Sequence, residues 1–246
     1  MNTEIIYGRH PIFEALSAGR RKFKKLFVSK HYEGEIVDKI IALARKRNVP
    51  VQFVDSHKLT AYSPNNQGTV AFVSPKEYLP FEQLLHLVNE KENAKVCILD
   101  EIEDPQNLGT IIRSAVCFGI DAIIVLQRSS AGISTGTSKA SAGAIEHIPI
   151  VRVANIVYAI ETLKKNGFWT YGADMSGENI SGKEIKGKIA VVIGNEGSGL
   201  KRLTKEKCDF LVKIPITPRI SSLNAGMSAS IIFYEIIRQQ GLDLAK

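Results

Sequence analysis

Leu99-Asp-Glu-Ile-Glu-Asp-Pro-Gln-Asn-Leu-Gly-Thr-Ile-Ile-Arg-Ser-Ala115 passes from an apolar run through a polar, proline-bearing turn into a second apolar run with helical spacing. The same grammar returns downstream in Val192-Ile-Gly-Asn-Glu-Gly-Ser-Gly-Leu200 and in Ile214-Pro-Ile-Thr-Pro-Arg-Ile-Ser-Ser-Leu-Asn-Ala225. A strand that ends in Gly, Pro, Asn and Ser before a helix gathers polar groups and bare backbone where α/β proteins bind ligands, beyond the carboxyl ends of the strands. One such junction is weak evidence; three in this order form a constellation.

Outward from these segments the pattern is a regular βα alternation. Strands are expected at Val96 to Leu99, Ala122 to Leu126, Trp169 to Ala173, Ile189 to Ile193 and Phe210 to Ile214. Helices are expected at Leu108 to Phe118, Ile156 to Lys165, Lys201 to Lys207 and Leu223 to Arg238. Near-continuous apolar strands between helices predict an α/β fold with a mostly parallel sheet covered on both faces. Upstream lies a smaller α/β pattern: strands at Lys24 to Val28, Val51 to Val54 and Thr69 to Val73, and a helix at Glu35 to Arg47 with Ile36, Ile40, Leu43 and Ala44 on one face. Ser74-Pro-Lys-Glu-Tyr-Leu-Pro80 carries two prolines, as a linker does. The expected organisation is therefore an N-terminal domain over 1–76, a linker over 77–93 and a C-terminal domain over 94–246.

With 246 residues, 44% hydrophobic and 23% charged, the chain can bury a proper core. No apolar run approaches the roughly 20 residues a membrane helix needs, and Met-Asn-Thr-Glu-Ile-Ile-Tyr at the start lacks a signal-peptide pattern. A cytoplasmic protein is the expectation. Cys97, Cys117 and Cys208 are odd in number and flanked by apolar residues, so they read as buried free thiols rather than disulfides or metal ligands. The net charge of +7 is uneven: residues 1–76 hold 13 Lys and Arg against 6 Asp and Glu, and the remainder holds 19 of each. Its densest part contains Arg20, Arg21, Lys22, Lys24 and Lys25, with Phe23 and Phe27 among them. Such a run is the electrostatic footprint of nucleic-acid binding; for a charge run alone a solubilising surface is the favoured reading, and confinement to one segment narrows that preference without reversing it.

In the first segment Pro105 precedes Asn107, which is placed to cap a helix beginning at about Leu108. Arg113 falls within the apolar stretch from Thr110 to Val116, so its guanidinium must reach water, a carboxylate or a phosphate. The second segment has three glycines in Gly194-Asn-Glu-Gly-Ser-Gly199, which let a ligand approach the backbone closely. It matches neither Gly-x-Gly-x-x-Gly nor a phosphate loop, so dinucleotide and ATP readings weaken. Glu196 reads either as a first-turn acid at a helix N-terminus or as a site residue. In the third segment Ser221 or Ser222 is the cap candidate, and Ala225, Ala229, Ile232, Phe233 and Ile236 form an apolar face. That face packs either within one chain or against a second copy.

These three segments resemble the signature motifs of the TrmH-class (SpoU) RNA ribose 2'-O-methyltransferases of the SPOUT superfamily. The first family motif, Asn-x-Gly-x-x-x-Arg, is matched by Asn107, Gly109 and Arg113; the second by Gly194 and Glu196; and the Ser-Leu-Asn of the third by Ser222, Leu223 and Asn224. The resemblance implies S-adenosylmethionine as cofactor, held by Gly194 and by the backbones around Ile214 and Leu223. It implies catalytic roles for Asn107, Arg113, Glu196, Ser222 and Asn224, a trefoil knot in the SPOUT domain, and a homodimer. Tyr7 to Leu16, the Arg-rich stretch after Gly19, and Asn66-Gln-Gly-Thr-Val-Ala71 are similar to the RNA substrate-binding domain of the large-subunit (23S) rRNA guanosine 2'-O-methyltransferases, although Asn66 stands where that group has His. The target so implied is a guanosine of 23S rRNA; a tRNA ribose methyltransferase and a non-enzymatic RNA-binding protein are the alternatives. Because a guanidinium does not lose its proton near neutral pH, Arg113 suits phosphate binding and alkoxide stabilisation better than base catalysis.

Overall fold

The computed structural model describes residues 3–217, 219 and 222–241. In chain order the elements are β1 (Glu4–Tyr7), α1 (Arg9–Ala18), β2 (Phe23–Ser29), α2 (Glu35–Lys46), β3 (Val51–Val54), α3 (Ser56–Thr60), β4 (Thr69–Val73), α4 (Phe81–Asn89), β5 (Lys95–Asp100), α5 (Pro105–Cys117), β6 (Ala122–Leu126) and α6 (Thr135–Ala140). There follow β7 (Ile150–Val153), α7 (Ile156–Lys165), β8 (Trp169–Asn179), β9 (Ile189–Gly194), α8 (Arg202–Lys207), β10 (Phe210–Lys213) and α9 (Ala225–Gln240). They form two compact units, one of residues 1–77 with 133–147, the other of 78–132 with 148–246.

The first unit is built on a sheet of order β1-β4-β2-β3, in which β2 and β3 are parallel and the other pairs antiparallel. Alternation along β2 sends Leu26 and Val28 to one face, where Ile12 and Leu16 of α1 and Val37, Ile40 and Ala44 of α2 bury them. The opposite face buries Phe27 with Val54, Leu59 and Val70. Helix α2 has Glu35 and Asp38 in its first turn and Arg45 and Lys46 in its last, the arrangement that complements a helix dipole.

Segment 133–147, which the sequence assigns to the C-terminal domain, belongs to the first unit. Its polar groups explain this. Thr135 Oγ1 donates to the Ile5 carbonyl at 2.7 Å, Lys139 Nζ to the Asn65 carbonyl at 2.6 Å, and His147 Nε2 lies 2.7 Å from Glu14. Glu146, 1% exposed, pairs with Arg21 at 2.8 Å, and Arg21 also holds Glu4 at 2.6 Å.

The second unit carries a wholly parallel six-stranded sheet of order β10-β8-β9-β5-β6-β7. Its inner strands β5, β6 and β9 are buried on both faces, β5 along its full length, which is why they read as unbroken apolar runs, whereas β10 at the edge is mostly half-buried. Residues 77–93, expected as a linker, contain α4 instead. Pro80 opens it, and Phe81, Leu84 and Val88 enter the core beside Val96, Ile98 and Ile160. The expected strand Trp169 to Ala173 continues to Asn179 because the register to β10 jumps. Leu211 pairs with Gly172 but Val212 with Glu178, so residues 173–177 loop out of the ladder. Among the cysteines, all free, Cys97 is buried and Cys208 partly so, but Cys117 is exposed near the end of α5, contrary to the expected burial. No helix among the described residues is long and apolar enough to cross a membrane.

Candidate active site

Beyond the carboxyl ends of β8, β9 and β10 lies a cavity of about 430 Å³. Its wall includes the turn Gly194–Gly199, Ile214, Ser222, Leu223 and the first turns of α9, together with Ala173, Asp174 and Met175 from the looped-out part of β8. Five of the eight candidate catalytic and cofactor-binding residues share one cavity, Gly194, Glu196, Ile214, Ser222 and Leu223, whereas Asn107, Arg113 and Asn224 do not line it.

The turn after β9 is shaped by its glycines. Asn195 and Gly199 exchange backbone hydrogen bonds of 3.1 and 2.8 Å, folding the loop back over Gly194. A Cβ on Gly194 would sit 2.3 Å from the Gly199 carbonyl carbon, and Gly199 has φ +67°. Asn195 secures the turn, its Oδ1 accepting from the Gly197 N–H at 2.9 Å and its Nδ2 donating to the Glu101 carbonyl at 2.9 Å. Glu101 takes a left-handed φ of +61° at the end of β5, strain that the Asn195 bond and the Lys201–Glu101 ion pair help to hold.

Asn224 joins the three segments. Its Oδ1 accepts from the Gly226 and Met227 N–H groups at 2.9 and 3.3 Å, so it caps α9. Its Nδ2 donates to Asn107 Oδ1 at 2.8 Å and also to the Glu196 carboxylate. Glu196 in turn accepts from the Ala225 N–H at 3.1 Å, placing a negative charge at the positive end of α9. The cap expected at Ser221 or Ser222 is thus Asn224, and the helix starts at Ala225; Ser221 lies outside the described residues.

Asn107 is likewise not the cap of its helix. Asp104 is, accepting from the Gln106 N–H at 3.0 Å, while Pro105 takes the first helical position, where its missing N–H costs nothing. This frees the Asn107 amide, only 7% exposed, for Asn224. Arg113, further along α5, is exposed and has no hydrogen bond or ion pair among the described residues. It reaches solvent rather than a structural carboxylate.

Asp174 and Lys205 were missed in the sequence, although Asp174 follows directly on an apolar strand run. Burial works to raise the Asp174 carboxyl, but hydrogen bonds from Lys205 and Ser176 outweigh it and hold the group below its usual value. Lys205 pairs with it at 2.5 Å, so the cavity wall there carries a compensated charge pair.

The proposed basic surface of the first unit is divided. Arg20, Lys22 and Lys24 are exposed, and Lys25 is half-buried against aromatic rings. Arg21 is 5% exposed and bound by Glu4 and Glu146, so it serves the fold and is withdrawn from the nucleic-acid surface. Asn66 is also structural, donating to the Ser63 carbonyl at 2.7 Å and accepting from the Gly68 N–H at 2.8 Å to close its turn.

Comparison with known proteins places these features. Residues 94–234 match the SpoU rRNA Methylase family, and residues 5–79 match the family described as RNA 2'-O ribose methyltransferase substrate binding. A TrmH family tRNA/rRNA methyltransferase of Staphylococcus aureus (strain MSSA476) is 38% identical over 244 residues, 98% of each chain. YacO of Bacillus subtilis (strain 168), named in the same way, is 38% identical over 96% of each chain. Among solved structures, the SpoU methyltransferase AviRb from Streptomyces viridochromogenes, in complex with AdoMet, has a similar fold, with a TM-score of 0.81, 24% identity and coverage of 97% of this chain and 90% of that one. An AdoMet-bound rRNA methyltransferase from Sinorhizobium meliloti superposes with a TM-score of 0.79 at 26% identity, covering 96% and 87%.

Proposed function

Since the chain belongs to the SpoU rRNA methylase family, we propose that it transfers a methyl group from S-adenosylmethionine to the ribose 2'-hydroxyl of a guanosine in 23S rRNA. The observation that carries this reading is the Asn224 carboxamide. It draws Asn107 and Glu196 to the edge of the cavity formed by the turns at Gly194, Ile214 and Leu223.

The cavity suits the cofactor. About 430 Å³ accommodates a nucleoside-sized ligand, and its wall combines bare backbone at Gly194–Gly199 with the apolar side chains of Ile214, Leu223 and Ile232. When bound, S-adenosylmethionine supplies a methyl group on a cationic sulfur. Ser222 and the Asn107 amide orient the ribose by hydrogen bonds; Asn224, whose own N–H groups go to Asn107 and Glu196 and whose oxygen caps α9, holds Asn107 in place, and Glu196 fixes Asn224 and the first N–H of α9. Arg113 binds the adjacent phosphate and stabilises negative charge developing on the 2'-oxygen, with the proton leaving to water.

Arg20, Lys22, Lys24 and Lys25 attract the RNA backbone. The N-terminal unit supports rRNA as target through its likeness to rRNA-enzyme substrate domains, and the cytoplasm is the compartment in which that RNA is met. Met227, Ile231 and Tyr234, spaced four and three residues apart on α9, leave an exposed apolar stripe. That stripe supports a homodimer formed through α9. The trefoil knot of the SPOUT fold belongs to the same reading.

Incubation with labelled S-adenosylmethionine and two unmodified substrates, 23S rRNA and bulk tRNA, tests the assignment. Label confined to 23S rRNA is the expected result; label in tRNA alone would redirect the activity to tRNA.

A further inference from the structure

The face of the first unit's sheet that lies opposite α1 and α2 carries aromatic rings roofed by lysines. Phe27, Tyr62 and Phe72 form a three-ring cluster with centroids 6.0, 5.5 and 5.2 Å apart. Lys25 Nζ lies 4.4 Å from the Phe72 centroid and 4.8 Å from that of Phe27, while Lys58 Nζ lies 5.0 Å from Phe27. Lys139, contributed by the segment 133–147, places its Nζ 4.8 Å over Tyr7 and donates to the Asn65 carbonyl in the Tyr62 loop.

These lysines differ from their neighbours. Lys30 is paired with Asp55 at 3.0 Å and Lys39 with Glu35 at 2.7 Å. Lys25, Lys58 and Lys139 have no carboxylate within ion-pair distance among the described residues. An ammonium over a ring is held by the ring quadrupole but keeps its full charge available to another partner. Packing does not require three such cations on one face, since their repulsion opposes it. Beneath them Phe27 is buried, but Tyr62 is 37% exposed and Phe72 half-buried, so ring surface is presented to solvent beside the charges.

A ligand that satisfies both features is a polyanion carrying flat aromatic groups whose faces are free. Duplex RNA offers the phosphates and hides its base faces; a single strand offers both. Resting on the RNA methyltransferase reading, we propose that Tyr62 and Phe72, with Lys25, Lys58 and Lys139, hold an unpaired stretch of the RNA substrate. A base stacks on Tyr62 and the lysines move from the rings to the phosphates. The face thereby selects an open loop over a helix, which the run at Arg20 to Lys24, acting by charge, does not.

The test is fluorescence anisotropy on the full chain with two probes, an oligouridylate dodecamer and a twelve-base-pair RNA duplex. Tyr62→Leu, which keeps apolar bulk and removes the ring, is expected to weaken oligouridylate binding about tenfold while duplex binding stays within about twofold. Tyr62→Phe restores the wild-type value. The pair Lys25→Gln and Lys58→Gln together lowers affinity for both probes and flattens the oligouridylate slope of log affinity against log salt by about 1.4. Photo-crosslinking of wild-type protein to a 4-thiouridine dodecamer, read by mass spectrometry, is expected to label Tyr62 or Phe72, and it decides the matter if a variant misfolds. Crosslinks confined to other surfaces, or a Tyr62→Leu protein that binds both probes as wild type does, overturns the inference. If that wild type still methylates RNA, the proposed reaction stands. A wild type that binds neither probe and methylates nothing removes both.

Discussion

Arg113 concentrates the chemical question at the scale of one residue. It is exposed and unpaired among the described residues, six positions after the buried Asn107 on α5. A fixed positive charge free to meet a phosphate differs from a point charge on a flexible stem in its planar fork of donors. Arg113→Lys is therefore expected to preserve RNA affinity within a few-fold and to lower single-turnover methyl transfer about a hundredfold; unchanged turnover removes the role. Asp209 answers to pH instead. Burial pushes its carboxyl up, but Lys164 at 2.6 Å and the two Thr170 donors at 2.9 and 2.7 Å outweigh burial, so it lies below its ordinary value. A carboxyl lowered in this way contributes stability in full above about pH 4 and loses it as pH falls through the lowered value. Urea midpoints of Asp209→Asn and wild type should differ at pH 7 and converge as the pH falls through the lowered value.

At the scale of elements, much of the architecture was legible and its failures have physical causes. The inner strands β5, β6 and β9 of the second unit are apolar because both faces are covered, and with β8 and β10 they stand out in the sequence. The sixth, β7, is only four residues long. Helix α4 shows Phe81, Leu84, Leu85 and Val88 at helical spacing, yet the prolines before it suggest a linker; Pro80 instead starts the helix. The assignment of segment 133–147 could not be read locally, because its ties run to residues more than 70 positions away. Arg21 looked like an RNA ligand for the same reason: Glu146, 125 residues away, neutralises it. Arg21→Met strands Glu146 in a buried site and should cost about 3 kcal/mol in chemical unfolding. The site was largely legible because the second and third segments place Gly194, Glu196, Ile214, Ser222 and Leu223 on the cavity wall, while the first joins them only through the Asn107–Asn224 hydrogen bond. What the sequence could not disclose was that Asn224, not Ser222, caps α9 and bonds to Asn107. Gly194→Ala puts a Cβ 2.3 Å from the Gly199 backbone, so the turn must open; S-adenosylmethionine affinity by calorimetry should fall at least tenfold, about 1.4 kcal/mol, with the sheet intact.

For the whole molecule, the chain runs between its two units three times, at 77–78, 132–133 and 147–148. Deleting residues 1–77 therefore also strips the partners of segment 133–147, so the two matched family regions do not correspond to two simple fragments. The exposed Met227, Ile231 and Tyr234 bear on assembly: Ile231→Lys should shift sedimentation from dimer to monomer, and a wild type that is monomeric at micromolar concentration would refute the α9 interface. The site joined by Asn224 is proposed to methylate a ribose oxygen. The most direct measurement of that transfer is the mapping of labelled product by alkaline hydrolysis of 23S rRNA after incubation with the protein and labelled S-adenosylmethionine. A single alkali-resistant linkage at a guanosine is the predicted result. Label on a base, with every linkage still cleaved by alkali, would contradict it.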